Sequence, residues 1–320
     1  MSKLRTSAVA AAAILILAHV SVLIFRYGTD FASVWGDWID TLAPLTASII
    51  CWQSSRCAGP FGRRVWRLVA FSALLTSLGQ GLYTDYYDYL HAPLGTLWPS
   101  DVLVFFWVVP ILLTLFLSPR DSGRGYEWLR VCDFAQICTL VLAVELAEIY
   151  VPSRWQAAGQ TMQLRALHSG ILFFGLIAIS FIVRATVSTN RLERAYFGRM
   201  GAFLTVYAFI VNGTLYYQAS GNYKQGQWGD LTWTIGYCFL ILIAGLWNEK
   251  EEGYEIKPQS RGLQLLAQFS PLLIPALVFP LLLSIAREQF YWSVFLATFS
   301  FVAAGGRMFV VQRQLLISSQ

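Results

Sequence analysis

The chain contains 320 residues, of which 56% are hydrophobic, 15% aromatic and only 13% charged. Soluble globular domains carry about 25% charged residues, and no polar stretch of this chain is long enough to enclose a soluble core. The net charge of +5 does not indicate nucleic-acid binding, because the basic residues lie in short clusters between apolar stretches. We therefore predict an all-α, polytopic membrane helical bundle with about ten transmembrane helices.

A helix crosses a bilayer with about 20 mainly apolar residues. The first apolar stretch is too long for a signal peptide, and no small-residue cleavage site follows it. The second is the weakest prediction, because it contains Asp37, Asp40 and Pro44. The predicted spans are Ser7–Phe25, Trp35–Trp52, Val65–Tyr83, Val102–Ser118, Leu129–Tyr150, Ser169–Val187, Tyr196–Tyr216, Leu231–Trp247, Leu263–Ile285 and Phe290–Val311.

The distribution of basic residues predicts the orientation of these spans. With alternating sides, 18 of the 23 Lys and Arg residues fall on the side that holds Lys3 and Arg5. Cytoplasmic loops are enriched in Lys and Arg, so both termini are predicted to be cytoplasmic. The other side carries ten of the 18 acids and only five basic residues, which are Arg26, Arg154, Arg165, Lys224 and Arg287.

The third and fourth predicted spans resemble the seventh and eighth. Arg67, Gln80-Gly81 and Asp101 in the first copy correspond to Arg199, Asn212-Gly213 and Asp230 in the second. This pattern predicts two tandem four-helix repeats, at residues 1–118 and 119–262, followed by two C-terminal helices and a cytoplasmic tail at 263–320. Each repeat aspartate begins a helix, where a carboxylate caps free N–H groups.

The loops on the predicted outer side are rich in aromatic residues and acids. Such residues are common in interfacial belts, but they would also form a shallow pocket for an apolar or cationic ligand. The candidate ligand-binding residues are Tyr83, Asp85, Tyr87, Asp88, Asp101, Tyr216, Trp228 and Asp230.

Polar residues inside predicted spans are costly in lipid and often functional. Glu145 and Glu148 lie on one face of the fifth span, and Asp133 lies near its other end, where an arginine would satisfy it. His19 either pairs with an acid or makes a local hydrogen bond. Gln80 and Asn212 are candidates for hydrogen bonds between helices.

No motif for catalysis, metal binding or a cofactor is present in the sequence. The three histidines are scattered, and the five cysteines show no zinc or disulfide spacing. We therefore predict no catalytic residues, no metal and no cofactor.

Three stretches carry a resemblance to a known class of protein: FGRRVWRLVAFSALLTSLGQGLY, PSDVLVFFWVVPILL and GQWGDLTWTIGYCFLILIAGLW. They resemble the N-terminal multi-span sensor regions of bacterial GGDEF/EAL (diguanylate cyclase) proteins and related membrane sensor histidine kinases. The resemblance covers most of residues 35–250. It is carried by Arg64, Trp66, Arg67, Gln80, Gly81, Pro99, Ser100, Asp101, Trp228, Asp230, Leu231 and Trp233.

The resemblance implies a sensory input module in the bacterial cytoplasmic membrane. It would bind a small ligand and relay the signal to a cytoplasmic output domain or protein, and a second copy of the chain in a homodimer is a candidate partner. The tail RMFVVQRQLLISSQ resembles the start of the linker to such an output domain, and any kinase or cyclase activity would belong to that domain. The alternatives are a small-molecule transporter and, third, an intramembrane transferase.

Overall fold

A computed structural model of the chain describes residues 2–86, 90, 100, 103, 106–117, 125–146, 159–188, 190–220, 222–249, 278–279, 282–283, 286 and 289–318. Within these ranges the chain forms α-helices and no strand, which confirms the all-α prediction. The helices are α1 (Ser2–Arg26), α2 (Asp30–Cys57), α3 (Pro60–Thr84), α4 (Val108–Thr114), α5 (Gly125–Glu145), α6 (Gly159–Val187), α7 (Arg191–Ala219), α8 (Leu231–Gly245) and α9 (Phe290–Ser318).

Three of these helices contain stretches that are long and apolar enough to cross a membrane. They are Lys3–Arg26, Pro60–Thr84 and Phe290–Val310. Large apolar side chains also remain exposed on the helices, including Phe25 and Tyr291, which are 80% and 87% exposed. Apolar surface of this extent suits a lipid environment, so the helices indicate a membrane protein.

The second predicted span forms a helix despite its polar residues. α2 runs without interruption through Pro44, and Thr29 caps its first turn by accepting a hydrogen bond from the Ala32 amide at 3.3 Å. The fourth predicted span, Val102–Ser118, lies partly outside the described residues, and the ninth, Leu263–Ile285, lies mostly outside them.

One compact unit comprises Met1–Ile111 and Gly159–Glu255. In it, α2 and α3 form an antiparallel hairpin, α6 packs on α7, and α8 packs against α1 and α2. Small residues bring α8 close to its neighbours: a Cβ at Gly245 would lie 2.3 Å from that of Ala8, and Ser54 donates a 2.8 Å hydrogen bond to the Ala244 carbonyl.

The short turn between α2 and α3 is held by a residue that follows α8. Gly59 precedes α3 and has no side chain to cap that helix. The Glu249 carboxylate instead accepts a 2.7 Å hydrogen bond from the Gly59 amide, at the positive end of the α3 dipole. This hydrogen bond connects the residues that follow α8 to the turn between α2 and α3.

The other compact unit comprises Leu112–Ala158 and Ile256–Gln320, in which α5 packs against α9. Arg307 of α9 pairs with Asp133 of α5, with Nε and Oδ1 2.5 Å apart. The sequence predicted an arginine partner for Asp133, and the structure identifies it. The repeat boundaries at residues 118 and 262 stay a sequence prediction.

Candidate functional site: a buried polar centre between three helices

Three polar side chains meet between α1, α2 and α8. Nδ1 of His19 lies 2.7 Å from Oγ1 of Thr234, and the Thr234 hydroxyl donates a 2.7 Å hydrogen bond to Oδ1 of Asp40. Nδ1 of His19 is 3.9 Å from the same Asp40 oxygen. In this polar centre (His19, Thr234 and Asp40), His19 and Thr234 are fully buried, and the Asp40 side chain is 9% exposed.

The position of the imidazole proton depends on the state of Asp40. When Asp40 is ionised, the single Thr234 hydroxyl proton is donated to it. The Thr234 oxygen then accepts from His19, so the proton of a neutral ring lies on Nδ1 and Nε2 carries a bare lone pair. That Nε2 is buried and has no hydrogen-bond partner among the described residues.

This arrangement supports a proton relay. A proton that reaches Nε2 allows the Nδ1 proton to pass to the Thr234 oxygen while the Thr234 hydroxyl proton passes to Asp40. The ring ends neutral and protonated on Nε2, and the Asp40 carboxylate becomes a neutral acid. One added proton thus reverses both hydrogen bonds and removes a buried negative charge.

Local features of α2 place Asp40 next to His19. Gly36 lies one helical turn before Asp40, and a Cβ built there would lie 3.5 Å from Nε2 of His19, so this turn of α2 packs directly against the imidazole. Pro44 lies one turn after Asp40 and has no N–H to donate to the Asp40 carbonyl, which weakens the helix at this turn.

A second group of hydrogen bonds surrounds Asp230, which directly precedes α8. Oδ1 accepts a 2.7 Å hydrogen bond from the Tyr223 hydroxyl, and Oδ2 accepts a 2.6 Å bond from the Gly226 amide. The prediction that this carboxylate caps α8 is wrong, because it makes no bond to the first turn of that helix. It instead closes the loop that precedes the helix.

The Asp230 loop is seated on the turn between α1 and α2. The Gly28 amide donates a 2.9 Å hydrogen bond to the Gly226 carbonyl. Gly226 has a φ of 76°, and a Cβ there would lie 3.1 Å from backbone atoms of Thr29 and Ser33. Only glycine satisfies both the left-handed conformation and this close approach.

Burial determines the protonation behaviour of this loop. It raises the pKa of Asp230 above its usual value, although the hydrogen bonds from Tyr223 and Gly226 oppose the shift. Burial, together with the negative charge of Asp230, raises the pKa of Tyr223 above its usual value, and the protonated hydroxyl donates to Asp230.

Four of the other predicted ligand-binding residues lie in the described part of the chain. Asp85 is exposed at the end of α3, Tyr83 is half-buried, and Tyr216 is exposed. Trp228 is 49% exposed, and its ring centroid lies 6.5 Å from that of Tyr27. Tyr87, Asp88 and Asp101 lie outside the described residues.

Of the predicted intramembrane polar residues, the structure places only His19 in the polar centre. Gln80 is half-buried on α3, and Oδ1 of Asn212 on α7 is buried without a hydrogen-bond partner in the described part of the chain. Glu145 is the last residue of α5, but its side chain lies outside the described part of the structure, as does Glu148.

Sequence reasoning did not select Asp40, Thr234, Tyr223 or Gly226 as site residues. In the sequence, Asp37 and Asp40 weaken the prediction of the second span and count among the acids of the predicted outer side. The sequence signal for Asp40 is its position inside an apolar helix, because acids are costly there and are often functional. Thr234 carries no comparable signal, since threonine is common in membrane helices.

Comparison with known proteins does not assign the chain to a family. No protein-family model, curated protein or solved structure matches it. Over the residues that the structure describes, no group of three or more His, Cys, Asp or Glu side chains is arranged to hold a metal ion.

Proposed function

We propose that this protein is a membrane-embedded input module of bacterial signal transduction. It has about ten spans and cytoplasmic termini in the bacterial cytoplasmic membrane. It relays an external or membrane-dissolved signal to a cytoplasmic output domain or partner. The observation that carries the proposal is the polar centre, in which His19, Thr234 and Asp40 join three helices through hydrogen bonds that one proton reverses.

A sensor requires an element with two states whose balance the signal shifts. The polar centre supplies such an element, because the charge of Asp40 and the direction of two hydrogen bonds change together. His19 lies seven residues before the end of α1, about 10 Å along the helix, which is within the apolar part of the span. In that environment a change of charge has a large effect on helix packing.

Relay also requires a rigid connection toward the cytoplasm. α9 is continuous from Phe290 to Ser318, and its 29 residues span about 43 Å. A bilayer core is about 30 Å thick, so the helix is long enough to cross it and continue beyond the membrane. Arg313 lies in this extension and is exposed.

The relay is tested with the full chain joined through Gln320 to a diguanylate cyclase domain. One residue inserted after Arg313 rotates the downstream helix by about 100°, and we expect it to change cyclase output severalfold. Seven inserted residues are the matched control, because they restore the helical phase to within about 20°. Equal output from the two insertions would contradict a helical relay.

The polar centre is tested in the same fusion. Thr234→Val removes the hydroxyl that links His19 to Asp40 while preserving the shape of the side chain, and we expect cyclase output to become insensitive to pH. Thr205→Val is the control, because the Thr205 hydroxyl donates to the Gly201 carbonyl of its own helix. A Thr234→Val fusion with the pH response of the parent would exclude the polar centre as the sensing element.

The proposed orientation rests on the basic residues and can be measured with a native cysteine. Cys57 ends α2 and is exposed, whereas Cys51 and Cys238 are buried. We expect a membrane-impermeant maleimide to label Cys57 in inside-out vesicles but not in intact spheroplasts. A cysteine introduced at Ser33 in a Cys57→Ser background should show the opposite pattern, and labelling of Cys57 from the exterior would overturn the topology.

Proton-coupled transport is the second candidate, because a buried histidine and aspartate joined by a hydroxyl also suit proton transfer across a membrane. It predicts that the chain in proteoliposomes collapses an imposed proton gradient when substrate is present, and that Asp40→Asn abolishes this flux. The sensory proposal predicts no flux from either protein.

A further inference from the structure

Two arginines meet on one exposed tryptophan near the turn between α2 and α3. The guanidinium carbon of Arg56 lies 5.8 Å from the ring centroid of Trp52, and that of Arg67 lies 5.5 Å from the same centroid. Both arginines are exposed, and Trp52 is 43% exposed. A cation–π contact holds a guanidinium group in place but leaves its charge and its N–H donors available to an anion.

The two guanidinium groups bring positive charges together without a neighbouring acid. Among the residues that the structure describes, neither side chain forms an ion pair or a hydrogen bond. Because both contact one ring, a small anion beside Trp52 is within reach of both flexible side chains. Arginine binds phosphate oxygens well, since its planar fork donates two parallel hydrogen bonds.

The surroundings of these side chains face lipid. Ile49 lies one turn before Trp52 on α2, Phe71 lies one turn after Arg67 on α3, and they are 51% and 53% exposed. Arg67 lies seven residues after the start of α3, about 10 Å along a helix that is long and apolar enough to cross a membrane. An arginine at this depth extends its guanidinium group toward the interface, where the phosphates of lipids lie.

A second arginine–tryptophan contact shows what is particular to this one. Arg199 is the predicted counterpart of Arg67 in the second repeat, and its guanidinium carbon lies 5.1 Å from the ring centroid of Trp247. Trp247 is only 5% exposed, and its ring centroid lies 5.7 Å from that of Trp66. The Arg199 contact therefore belongs to the protein core, whereas the contacts on Trp52 are open to a ligand.

We propose that Trp52, Arg56 and Arg67 bind the phosphate of an anionic phospholipid. The phosphate oxygens accept hydrogen bonds from the two guanidinium groups, and an acyl chain packs along Ile49 and Phe71. An anionic head group fits better than a zwitterionic one, because the latter would place its own ammonium group beside two guanidinium groups. Only the assignment of this lipid to the cytoplasmic leaflet rests on the proposed topology.

Binding is tested by native mass spectrometry of the full chain, with phosphatidylglycerol and phosphatidylcholine as the probes. We expect the chain to retain phosphatidylglycerol in preference. Arg56→Gln/Arg67→Gln should weaken its retention about fivefold for each charge removed. Arg191→Gln is the matched control, because Arg191 is also exposed, at the start of α7, and we expect retention equal to that of the parent.

Arg56→Lys/Arg67→Lys separates a built site from simple charge attraction. Lysine preserves both charges but has no planar fork, so we expect retention between that of the parent and that of the glutamine pair. Retention by the lysine pair equal to that of the parent would show that charge alone suffices and contradict the stacked site.

Two further outcomes would overturn the inference. Undiminished retention by the glutamine pair, or an equal loss in Arg191→Gln, would show attraction to the overall positive charge only. Displacement of the bound phosphatidylglycerol by millimolar inorganic phosphate would assign the site to a free anion instead of a lipid. These results are distinguishable from failure of the sensory proposal, because retention reports binding to the purified chain and the cyclase fusion reports signalling.

Discussion

Two of the buried polar contacts between helices in the described residues contain charged or titratable side chains, and these two differ in how completely their polar groups are satisfied. Asp133 and Arg307 form a direct ion pair in which the side chains are 5% and 17% exposed. In the polar centre, Thr234 lies between His19 and Asp40, and Nε2 of the ring has no hydrogen-bond partner within the part of the chain that the structure describes. The first contact brings opposite charges together, whereas the second joins His19 and Asp40 through an intervening hydroxyl.

This difference indicates different roles for the two contacts. Breaking a buried ion pair leaves an uncompensated charge, so the Asp133–Arg307 pair favours one packing of α5 on α9. In the polar centre, one added proton would exchange two hydrogen-bonding arrangements, which is why the sensory proposal places the two-state element there. A contact that fixes packing and a contact that permits change respond differently to substitution.

The largest expected effect comes from breaking the ion pair. Arg307→Met leaves the Asp133 carboxylate buried without its arginine, and we expect a loss of about 3–5 kcal/mol of stability, measured by thermal unfolding in detergent. The double variant Asp133→Leu/Arg307→Met removes both charges and should recover most of the loss. If the single and double variants are equally destabilised, the pair does not fix the packing.

An intermediate effect is expected at the close contact between α1 and α8, two of the helices that form the polar centre. Gly245→Ala places a methyl group 2.3 Å from the Ala8 Cβ, which forces α1 and α8 apart at a cost of about 1–3 kcal/mol. Adding Ala8→Gly transfers the methyl group from one helix to the other and should restore the melting temperature. Failure of this rescue would show that the two residues do not set the helix separation.

The smallest effect is a pH dependence at Asp230. Since burial raises the pKa of this carboxyl, the folded chain favours its protonated form, and stability falls as the pH rises from about 3.8 to the folded pKa, then stays level. Asp230→Asn should remove this decline, which is at most about 1.4 kcal/mol per pH unit. The measurement is the melting temperature of parent and variant at each pH.

Asp85→Asn is the control for the pH measurement, because it makes the same chemical change at an exposed position on the end of α3. A decline in stability that is identical in Asp230→Asn and the parent would assign the pH dependence to other groups.

The helices of this protein can be predicted from the sequence, because the length and apolar composition of a stretch indicate whether it can form a membrane helix. α1, α3 and α9 are predicted from composition and length alone, and each forms a helix that begins and ends near the predicted residues. Asp133 likewise required a basic partner because an isolated charge in lipid is costly. These are local properties that depend on neighbouring residues in the chain.

The site depends on contacts that sequence patterns do not encode. His19 and Thr234 are separated by 215 positions, and Asp40 and Thr234 by 194, so their meeting results from the packing of α8 against α1 and α2. The direction of the Asp230 carboxylate was also decided by tertiary structure, because the Gly226 amide and the Tyr223 hydroxyl compete with the first turn of α8. The sequence determined which segments are helical and apolar. Only the folded chain determined which polar groups share a buried space, because a helix specifies its own faces but not the neighbours they meet.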